Sequence, residues 1–473
     1  MTITHAVEIV RQMARDKPEW TFYFVGGYVR DKVLAEMFNF PFHPKNVDVE
    51  VFGDYTEAEL VTFCQRYGKV KADAGKSFEA LKLHVDSGMP IDVLQPRRDR
   101  QIGHGHGEGA IKTERDPMMT PKEAASRRDF TINAMYVCVD TDEFFDFFGG
   151  VEDLRNGRLR HLTEAFFFDP DRVLRGVQFC ARFDLVAEPE TVAGCRECVG
   201  EYRYLAKERV WDEFYKLFKS PKPSRGMVFL NRSGWIQHFP ALALMRRLPQ
   251  EAEHHPEGSV YQHTKLTVDA AAEIAKREGL TIEETVVLVA AAMLHDVGKF
   301  DTQEVVDGKI VTRKHAQFGA IAAEAFLTEI GAPNQVIVQV MELVREHMFA
   351  FSDITPRTMR RLSARMLHTS VRMLALLMEA DSRGRKRSIL NADRAGKIRT
   401  MVKMAQELNV VNQAPVPILM GRHLIEMGYK PGPKFGVVLQ RVYEEQLDGV
   451  VTTFEQACEI AHQTFFWQAV DQS

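Results

Sequence analysis

The chain has 473 residues, of which 45% are hydrophobic and 27% charged, and its formal net charge is −4 at pH 7. This length exceeds what one hydrophobic core supports, and the composition is that of a soluble globular protein. No apolar run approaches the roughly 20 residues that span a bilayer, so an integral membrane protein is excluded. The charge balance gives no overall attraction to nucleic acid, and any RNA contact must come from local basic surface.

The N-terminal stretch up to Trp20 has the pattern of an amphipathic helix and lacks the apolar core of a secretory signal. Six cysteines are scattered along the chain without a disulfide framework, and this favours a cytoplasmic location. Cys195 and Cys198 form a single Cys-x-x-Cys pair. Because no second pair accompanies them, we interpret both as ordinary helix residues.

The distribution of patterns along the chain predicts an α+β protein. Over about the first 160 residues, strand-like runs mix with helical segments, which indicates an α/β domain. From about residue 164 onward, apolar residues recur with helical spacing almost throughout. We therefore predict an α/β head at 1–162, an all-helical neck at 163–250, a third, helical domain at 251–390 and a helical tail at 391–473.

A pair of glycines follows the first strand-like run. Glycines at a strand-to-helix turn allow backbone N–H groups to approach phosphate oxygens, and the start of a helix favours an anion. Arg30 follows Gly26 and Gly27 within the first helical turn and can hold a triphosphate through charge-assisted hydrogen bonds. This segment is therefore a candidate nucleotide-binding turn.

Polar residues alternate with valine in the segment that begins at Asn46. Because alternate side chains of a strand share a face, Asn46, Asp48 and Glu50 are expected on one side. Acidic groups spaced in this way can hold Mg²⁺, which activates a 3′-hydroxyl and neutralises charge on a triphosphate. An exposed strand face of alternating polarity is the alternative interpretation of this segment taken alone.

A third motif is the segment RRDFTINAM (127–135), which can supply phosphate and ribose contacts. Together with GGYVRD (26–31), it resembles the class II tRNA nucleotidyltransferase and poly(A) polymerase family, to which the CCA-adding enzymes belong. The resemblance continues through FDPDRVLRGVQFCARF, PSRG and HPEG to KPGPKFG, and so covers nearly the whole chain. It implies a polymerase-β-like nucleotidyltransferase head that extends the acceptor end of tRNA with CTP and ATP, without a nucleic-acid template.

The resemblance also assigns roles to individual residues. The implied nucleotide contacts come from Gly27, Arg30 and Arg128. The implied amino-acid template is formed by Asp169 and Arg172, with Arg175 one helical turn further on. A planar guanidinium and a carboxylate suit this role because they can match the donors and acceptors of a base edge. The segment 95–118 corresponds to the flexible loop that helps the family switch from C to A addition.

Two positions depart from the family pattern. The family carries Asp-x-Asp where this chain has Asn46-Val47-Asp48, so an amide replaces the first metal-binding carboxylate. Asp48 is then the main expected ligand for Mg²⁺ and the main catalytic carboxylate, with Asn46 or Glu50 assisting. Phe168 stands where a Glu usually precedes the templating Asp, and we expect this change to be tolerated. The amide is the change that would slow or abolish nucleotidyl transfer.

Histidines and aspartates in the second half follow the pattern of the HD superfamily, which hydrolyses phosphoesters with a divalent metal. The matching ligands are His263, His295, Asp296 and Asp381, with Asp296 as the catalytic residue of the doublet. His315 and His347 are expected either to complete a second metal site or to contact substrate, and Lys299 to help hold a phosphate. Imidazole and carboxylate suit Mg²⁺, Mn²⁺, Ni²⁺ or Zn²⁺ without deciding among them.

The leading hypothesis is an enzyme that adds or repairs the tRNA CCA end. The resemblance implies that its HD domain adds phosphatase, 2′-nucleotidase and 2′,3′-cyclic phosphodiesterase activity. Three alternatives stay open: an HD phosphohydrolase whose head only binds RNA or nucleotide, a poly(A) polymerase, and a non-catalytic tRNA-binding protein. The oligomeric state is not indicated by the sequence.

Overall fold

The computed structural model describes residues 3–71, 80–85, 88–104, 110–251, 255–349, 352–385 and 390–470. The chain divides into two compact units, Met1–His238 and Phe239–Ser473. In the described ranges no helix is both long and apolar enough to span a bilayer.

The first unit contains a mixed sheet flanked by helices, followed by a helical region. Its strands are β1 (Thr21–Val25), β2 (Val47–Phe52), β3 (Lys69–Lys71), β4 (Leu81–His84), β5 (Pro90–Leu94), β6 (Arg97–Gln101), β7 (Ile111–Arg115), β8 (Met135–Cys138), β9 (Phe144–Asp146), β10 (Arg158–Leu159) and β11 (Val186–Ala187). Its helices are α1 (Ile3–Asp16), α2 (Gly26–Phe38), α3 (Glu57–Cys64), α4 (Pro121–Ser126), α5 (Gly150–Arg155), α6 (Asp171–Phe183), α7 (Pro189–Glu197), α8 (Lys207–Phe218) and α9 (Pro223–Arg232).

The main sheet has the strand order β3-β4-β5-β2-β1-β8-β9. Its β2 and β5 are parallel neighbours, whereas β1 pairs antiparallel with both β2 and β8. In β2 the valines Val47, Val49 and Val51 are buried, and the strand contacts α1. The predicted α/β head is confirmed, because the alternation of valine with polar residues buries one face of β2 and leaves the other for polar contacts.

The helical region after the head packs around α6. This helix is amphipathic, and its buried residues contact α8 and α9. Gly176 permits the close approach of α9, because a Cβ at that position would lie 2.9 Å from the ring of Phe229. The packing fixes the N-terminal end of α6, which carries the residues predicted to act as the template.

The second unit is built mostly from helices. They are α10 (Pro240–Met245), α11 (Val260–Glu278), α12 (Ile282–Leu294), α13 (Lys299–Thr302), α14 (His315–Glu329), α15 (Asn334–Glu346), α16 (Pro356–Arg365), α17 (Val371–Gly384), α18 (Leu390–Glu407), α19 (Gly421–Glu426), α20 (Pro433–Asp448) and α21 (Phe454–Val470). The centre is α12, which is buried over its last nine residues and packs against α11, α15 and α17. A helix that is apolar all round belongs inside a bundle, so the sequence of α12 dictates its central position.

One hairpin departs from the all-helical prediction for this part of the chain. The strands β12 (Gln303–Val306) and β13 (Lys309–Thr312) pair antiparallel across a tight turn at Asp307 and Gly308. Both turn residues have positive φ, +51° and +76°, which is the geometry that an Asp-Gly pair favours in a two-residue hairpin loop. An Asp-Gly pair flanked by β-branched residues was the signal for this hairpin in the sequence.

Candidate active sites

The turn between β1 and α2 brings together four predicted residues of the head. Gly26 has φ +63°, and a Cβ there would lie 3.0 Å from Arg128 Nη1 and 3.2 Å from Asp48 Oδ2. A Cβ on Gly27 would lie 3.5 Å from both Arg30 Nη2 and Asp48 Oδ2. Any side chain at Gly26 would be strained and would crowd these charged groups. The glycines therefore let a carboxylate and two guanidinium groups meet at the start of α2.

Two aspartates form the carboxylate pair of this site. Asp48 and Asp92 are register partners on the parallel strands β2 and β5. The amide Nδ2 of Asn46 donates to Asp48 Oδ1 and to Asp92 Oδ2, both at 2.7 Å. Burial raises the pKa of Asp48, Arg128 opposes this, and the Asp92 carboxylate raises it further. The sequence interpretation missed Asp92 because it lies 44 residues after Asp48.

Glu50, two residues after Asp48 on β2, is engaged by neighbouring side chains of the head. Its side chain is fully buried, and Oε2 accepts hydrogen bonds from Arg128 Nη2 at 3.2 Å and from the Tyr136 hydroxyl. Arg128 also lies over the Tyr136 ring at 5.4 Å. Glu50 thus holds the Arg128 guanidinium. The Asn46 amide instead donates to both Asp48 and Asp92. Asp92 is therefore a further candidate carboxylate beside Asp48, and the assisting role of Glu50 stays a prediction.

A chain of hydrogen bonds connects Arg30 with Arg175. Arg30 Nη1 donates to Asn133 Oδ1 at 2.6 Å, and Asn133 Nδ2 donates to Asp129 Oδ1 at 2.7 Å. Arg175 Nη2 lies 2.6 Å from Asp129 Oδ2. Although burial opposes it, the pKa of Asp129 falls to about 2 because Arg175 and Asn133 stabilise the carboxylate. This network ties α2, the RRDFTINAM segment and α6 into one arrangement.

Asp169 and Arg172, the predicted template, lie at the start of α6. Arg172 donates from Nη2 to the Arg127 carbonyl at 2.9 Å and from Nη1 to the Ala165 carbonyl at 3.1 Å. Its Nε is 4.0 Å from Asp169 Oδ2. Arg172 lines a cavity of about 330 Å³ together with Phe168 and Arg127. The guanidinium plane is therefore fixed by backbone carbonyls beside a cavity large enough for a small ligand.

The strands β6 and β7 form the stem of the predicted flexible loop. Near its tip, His104 Nδ1 lies 3.1 Å from Glu201, and the ring stacks on Tyr204 at 5.8 Å. Residues 105–109, with His106, lie outside the described residues.

Elsewhere in this unit, Cys195 lies in α7 and Cys198 follows it; both thiols are free, and burial raises the pKa of each.

In the second unit, the six predicted residues of the HD pattern come together; we call them the HD site. Four imidazoles surround one carboxylate, that of Asp296. Its oxygens lie 3.3 Å from His295 Nε2, 3.5 Å from His315 Nε2, 3.9 Å from His263 Nε2 and 3.9 Å from His347 Nε2. Asp381 Oδ1 completes the group at 3.0 Å from His263 Nε2 and 3.8 Å from His295 Nε2. The six residues predicted from the HD pattern in the sequence therefore lie close together in the structure.

Three of the four imidazoles of the HD site are oriented by a hydrogen bond on the other ring nitrogen. They donate from Nδ1 to the carbonyl three residues earlier: His295 to Ala292 at 2.9 Å, His315 to Thr312 at 2.8 Å and His347 to Val344 at 2.7 Å. His263 Nδ1 instead faces Glu257 Oε1 at 2.9 Å. Hydrogen bonds of this kind direct the Nε2 lone pair toward a metal. Burial lowers the pKa of His315 and His347, which keeps both rings neutral, as a ligand must be.

These atoms form two groups that can hold a metal and that share Asp296. One consists of His263, His295 and Asp296, and the other of Asp296, His315 and His347; in each, the ligand atoms lie within 4.8 Å of one another. The buried Nε2 of His295 makes no hydrogen bond within the described part of the chain. A divalent cation would satisfy this atom, so the residues present fit a metal centre.

Basic side chains surround the carboxylates of the HD site. Lys299 Nζ lies 2.7 Å from Asp296 Oδ2 and also donates to Gln250. Arg394 Nη2 lies 2.5 Å, and Arg385 Nη2 3.3 Å, from Asp381. The sequence interpretation included Lys299 but assigned neither arginine to this site, because neither is part of the HD pattern. Lys299 and Arg385 line a cavity of about 340 Å³ together with His315, and this cavity opens at the HD site.

Comparison with known families matches three parts of the chain. Residues 22–160 match the poly A polymerase head domain, residues 185–245 a probable RNA- and SrmB-binding site of polymerase A, and residues 260–377 the HD domain. The multifunctional CCA protein of Xanthomonas campestris is 32% identical over 375 residues, which cover 77% of this chain and 85% of the relative. That of Acidovorax ebreus is 30% identical over 430 residues, which cover 88% and 93%.

Solved structures share the fold. The CCA-adding enzyme of Bacillus stearothermophilus in complex with CTP has a TM-score of 0.61 at 17% identity, covering 99% of this chain and 100% of its own. The Thermotoga maritima CCA-adding enzyme complexed with tRNA has a TM-score of 0.55 at 18% identity, covering 98% and 95%. These likenesses confirm the predicted fold class, an α/β head followed by mostly helical regions.

Proposed function

The chain belongs to the family of multifunctional CCA proteins, and from this premise we propose that it adds and repairs the 3′ CCA end of tRNA, using CTP and ATP. The observation that carries the proposal is the head site, defined as Asn46, Asp48 and Asp92 with Arg30 and Arg128. It joins a carboxylate pair to two guanidinium groups at a glycine turn, which suits a nucleoside triphosphate. As tRNA is the substrate, we place the reaction in the cytoplasm.

The residues of the head divide the work of nucleotidyl transfer. Asp48 and Asp92 would hold Mg²⁺, and rotation of the Asn46 amide would present its oxygen as a third, uncharged ligand. When bound, Mg²⁺ would activate the 3′-hydroxyl and neutralise charge on the triphosphate. The N–H groups at Gly27 and the guanidinium of Arg128, held in place by Glu50, would bind phosphate oxygens.

Selection of the base falls to the start of α6. Arg172 is fixed by two carbonyls, and its remaining donors can meet the edge of cytosine or adenine together with the Asp169 carboxylate. Arg175 is fixed by Asp129 and stays about one-third exposed, so it can also reach the nucleotide.

The test is extension of a tRNA that ends before CCA, with CTP, ATP and Mg²⁺. Addition of three nucleotides in the order C, C, A is expected. Long A tails would instead identify a poly(A) polymerase. No extension, with HD hydrolysis intact, would favour a hydrolase whose head only binds RNA; the Asn46 amide between the two carboxylates is the observation behind that alternative.

For the second unit we propose metal-dependent hydrolysis of phosphoesters at an RNA 3′ end, as phosphatase, 2′-nucleotidase and 2′,3′-cyclic phosphodiesterase. The convergence of four Nε2 atoms on Asp296 carries this proposal. A divalent ion such as Mg²⁺, Mn²⁺ or Ni²⁺ would bind His263, His295, Asp296 and Asp381, and a second would bind Asp296, His315 and His347. When bound, the metal would supply an activated water and charge for the phosphoryl oxygens. Lys299 and Arg385 would bind the phosphate.

Hydrolysis of adenosine 2′,3′-cyclic phosphate by chelator-treated protein tests this proposal. No turnover is expected before a divalent metal is added, and titration with each metal should restore it. Turnover that persists at the starting rate in chelator would overturn the metal centre. The division into head (1–162), neck (163–250), HD domain (251–390) and tail (391–473) is proposed with it, supported by the residues that the family models match.

A further inference from the structure

A second cavity, of about 560 Å³, adjoins the cavity of the HD site. The two share Thr312, His315 and Met348 as lining residues, so the cavities lie next to each other across these side chains. His315, a candidate metal ligand, therefore stands at the junction. A substrate held at the HD site can extend into this second cavity, which we call the basic groove.

The charges along the basic groove are strongly one-sided. Its charged lining, besides His315, consists of Arg313, Lys314, Arg345, Glu346, Arg361 and Arg365. Five of these six side chains are cationic, and Glu346 is the single acidic one. A concave surface with such an excess of one sign attracts a polyanion.

Three of these cations are available for a ligand. Arg313, Lys314 and Arg345 are exposed and make no side-chain hydrogen bond or ion pair within the described ranges. The others are engaged: Arg361 lies 2.5 Å from Asp448, and Arg365 binds Glu346 at 2.7 Å. Free arginines and lysines beside a cavity are the residue types that neutralise phosphates of a nucleic acid.

The two cavities suit different parts of an RNA substrate. The cavity of the HD site, about 340 Å³, is at the small end of the range for ligand pockets and suits one terminal nucleotide. The preceding nucleotides of an RNA strand then need a path outward. The basic groove begins where that cavity ends and offers free cations for backbone phosphates, which need no particular base sequence.

We propose that the basic groove binds the backbone of single-stranded RNA whose 3′-terminal nucleotide occupies the HD site. Arg313, Lys314 and Arg345 contact the phosphates that precede the terminal one. This inference rests on the proposed hydrolase function of the HD site. It adds a reason for the enzyme to prefer an RNA end over a free nucleotide.

The test compares two substrates that carry the same reactive end, a mononucleotide 2′,3′-cyclic phosphate and a hexanucleotide with a 2′,3′-cyclic 3′ end. The variant Arg313→Gln/Arg345→Gln removes two groove charges and leaves the ligand histidines in place. The control Lys276→Gln/Arg399→Gln removes two exposed charges that line neither cavity. For the hexanucleotide, kcat/KM should fall about tenfold in the groove variant. The slope of log(kcat/KM) against the logarithm of salt concentration should weaken by about 1.4, because two phosphate contacts are lost.

For the mononucleotide, kcat/KM should be unchanged in both variants, and the control should match the wild type on both substrates. Equal losses on the two substrates, or none on the hexanucleotide, would overturn the groove. A readout without turnover separates this from the hydrolase proposal: a hexanucleotide with 4-thiouridine next to a 3′-phosphate end should photo-crosslink to residues 312–317 or 345–349. Crosslinks only elsewhere overturn the groove even where hydrolysis is intact, whereas these crosslinks without hydrolysis overturn only the proposed hydrolase.

Discussion

The head site and the HD site both place cationic groups beside their aspartates, but only the HD site adds imidazoles. In the head, Asp48 and Asp92 share the N–H donors of Asn46, and Arg30 and Arg128 lie near the glycine turn. In the HD site, Asp296 is surrounded by imidazole nitrogens. Three of these imidazoles are oriented by hydrogen bonds from Nδ1 to main-chain carbonyls. The HD site thus offers several nitrogen and oxygen atoms to a metal from the protein alone. In the proposed function the head site would supply fewer ligands, and triphosphate oxygens would complete the coordination of a bound Mg²⁺.

The largest effect that tests this contrast is expected from Asp296→Asn. Asp296 belongs to both candidate metal groups, so its loss disrupts both together. Hydrolysis of a 2′,3′-cyclic nucleotide should fall about 1,000-fold or more, because activation of water by the metal is lost. CCA addition, measured on the same preparation, should keep the wild-type rate. A variant that retains a tenth of the hydrolysis would show that Asp296 is not the shared ligand.

Asp92→Asn and Glu50→Gln distinguish the two carboxylates of the head. Asp92→Asn should lower kcat for CTP incorporation about 100-fold, because Asp48 loses its partner in binding Mg²⁺. Glu50→Gln should chiefly raise the KM for CTP, about tenfold, because Glu50 holds Arg128. The reverse order of effects on kcat would favour Glu50 as the ligand predicted from the strand pattern.

Asp129→Asn probes the network that links the nucleotide turn to α6. The pKa of Asp129 is about 2 in the folded chain, below the ordinary 3.8. Its contribution to stability is therefore complete above pH 3.8 and is lost as the pH falls through about 2. At pH 7 the variant should lose about 2 kcal/mol of unfolding free energy, about thirtyfold in the folding equilibrium.

Denaturant unfolding of the first unit, followed from pH 7 to pH 2, measures this loss. The difference between wild type and variant should shrink as Asp129 becomes protonated. Asp140→Asn, at an exposed position, is the matched control and should change stability little at any pH. A constant difference across this range would mean that ionisation of Asp129 contributes nothing.

The smallest effect is expected from Asn46→Asp, which restores the carboxylate of the family pattern. A third carboxylate should bind Mg²⁺ more tightly than the amide, so half-maximal CCA addition should require about tenfold less Mg²⁺. The rate at saturating Mg²⁺ should change less. If the Mg²⁺ requirement rises, the amide is the better ligand in this setting, and the head site does not lack a charge.

The residues of the HD site could be predicted from the sequence because they follow the pattern of the HD superfamily, and short-range geometry then orients two of them. His295 and His347 each follow the last turn of a helix, and their hydrogen-bond partners lie three residues earlier. Because these hydrogen-bond partners lie at a fixed distance along the chain, the sequence alone indicates where they are. The ends of β1 and β2 and the glycine turn could be predicted for the same reason.

Asp92 and Arg394 could not be predicted in this way. Asp92 reaches Asp48 through the parallel pairing of β2 with β5, and no periodicity near Asp48 indicates which later strand becomes its neighbour. Arg394 reaches Asp381 from a different helix. The same holds for two arginines of α16, Arg357 and Arg361, which both bind Asp448, a residue about 90 positions further along the chain. Tertiary pairing decides which charges remain free.

The hydrogen bonds behind the HD histidines affect how the site tolerates change over evolution. For His295, His315 and His347, the acceptor is a main-chain carbonyl, which persists whatever side chain the acceptor residue carries. Substitutions at those three acceptor positions therefore leave the tautomers intact, as long as the backbone keeps its path. Only His263 relies on a side chain, that of Glu257, which His255 also contacts at 2.8 Å. Purifying selection that acts through side chains around the candidate metal groups should thus concentrate on Glu257, whereas Ala292, Thr312 and Val344 contribute only their main-chain carbonyls to the histidines.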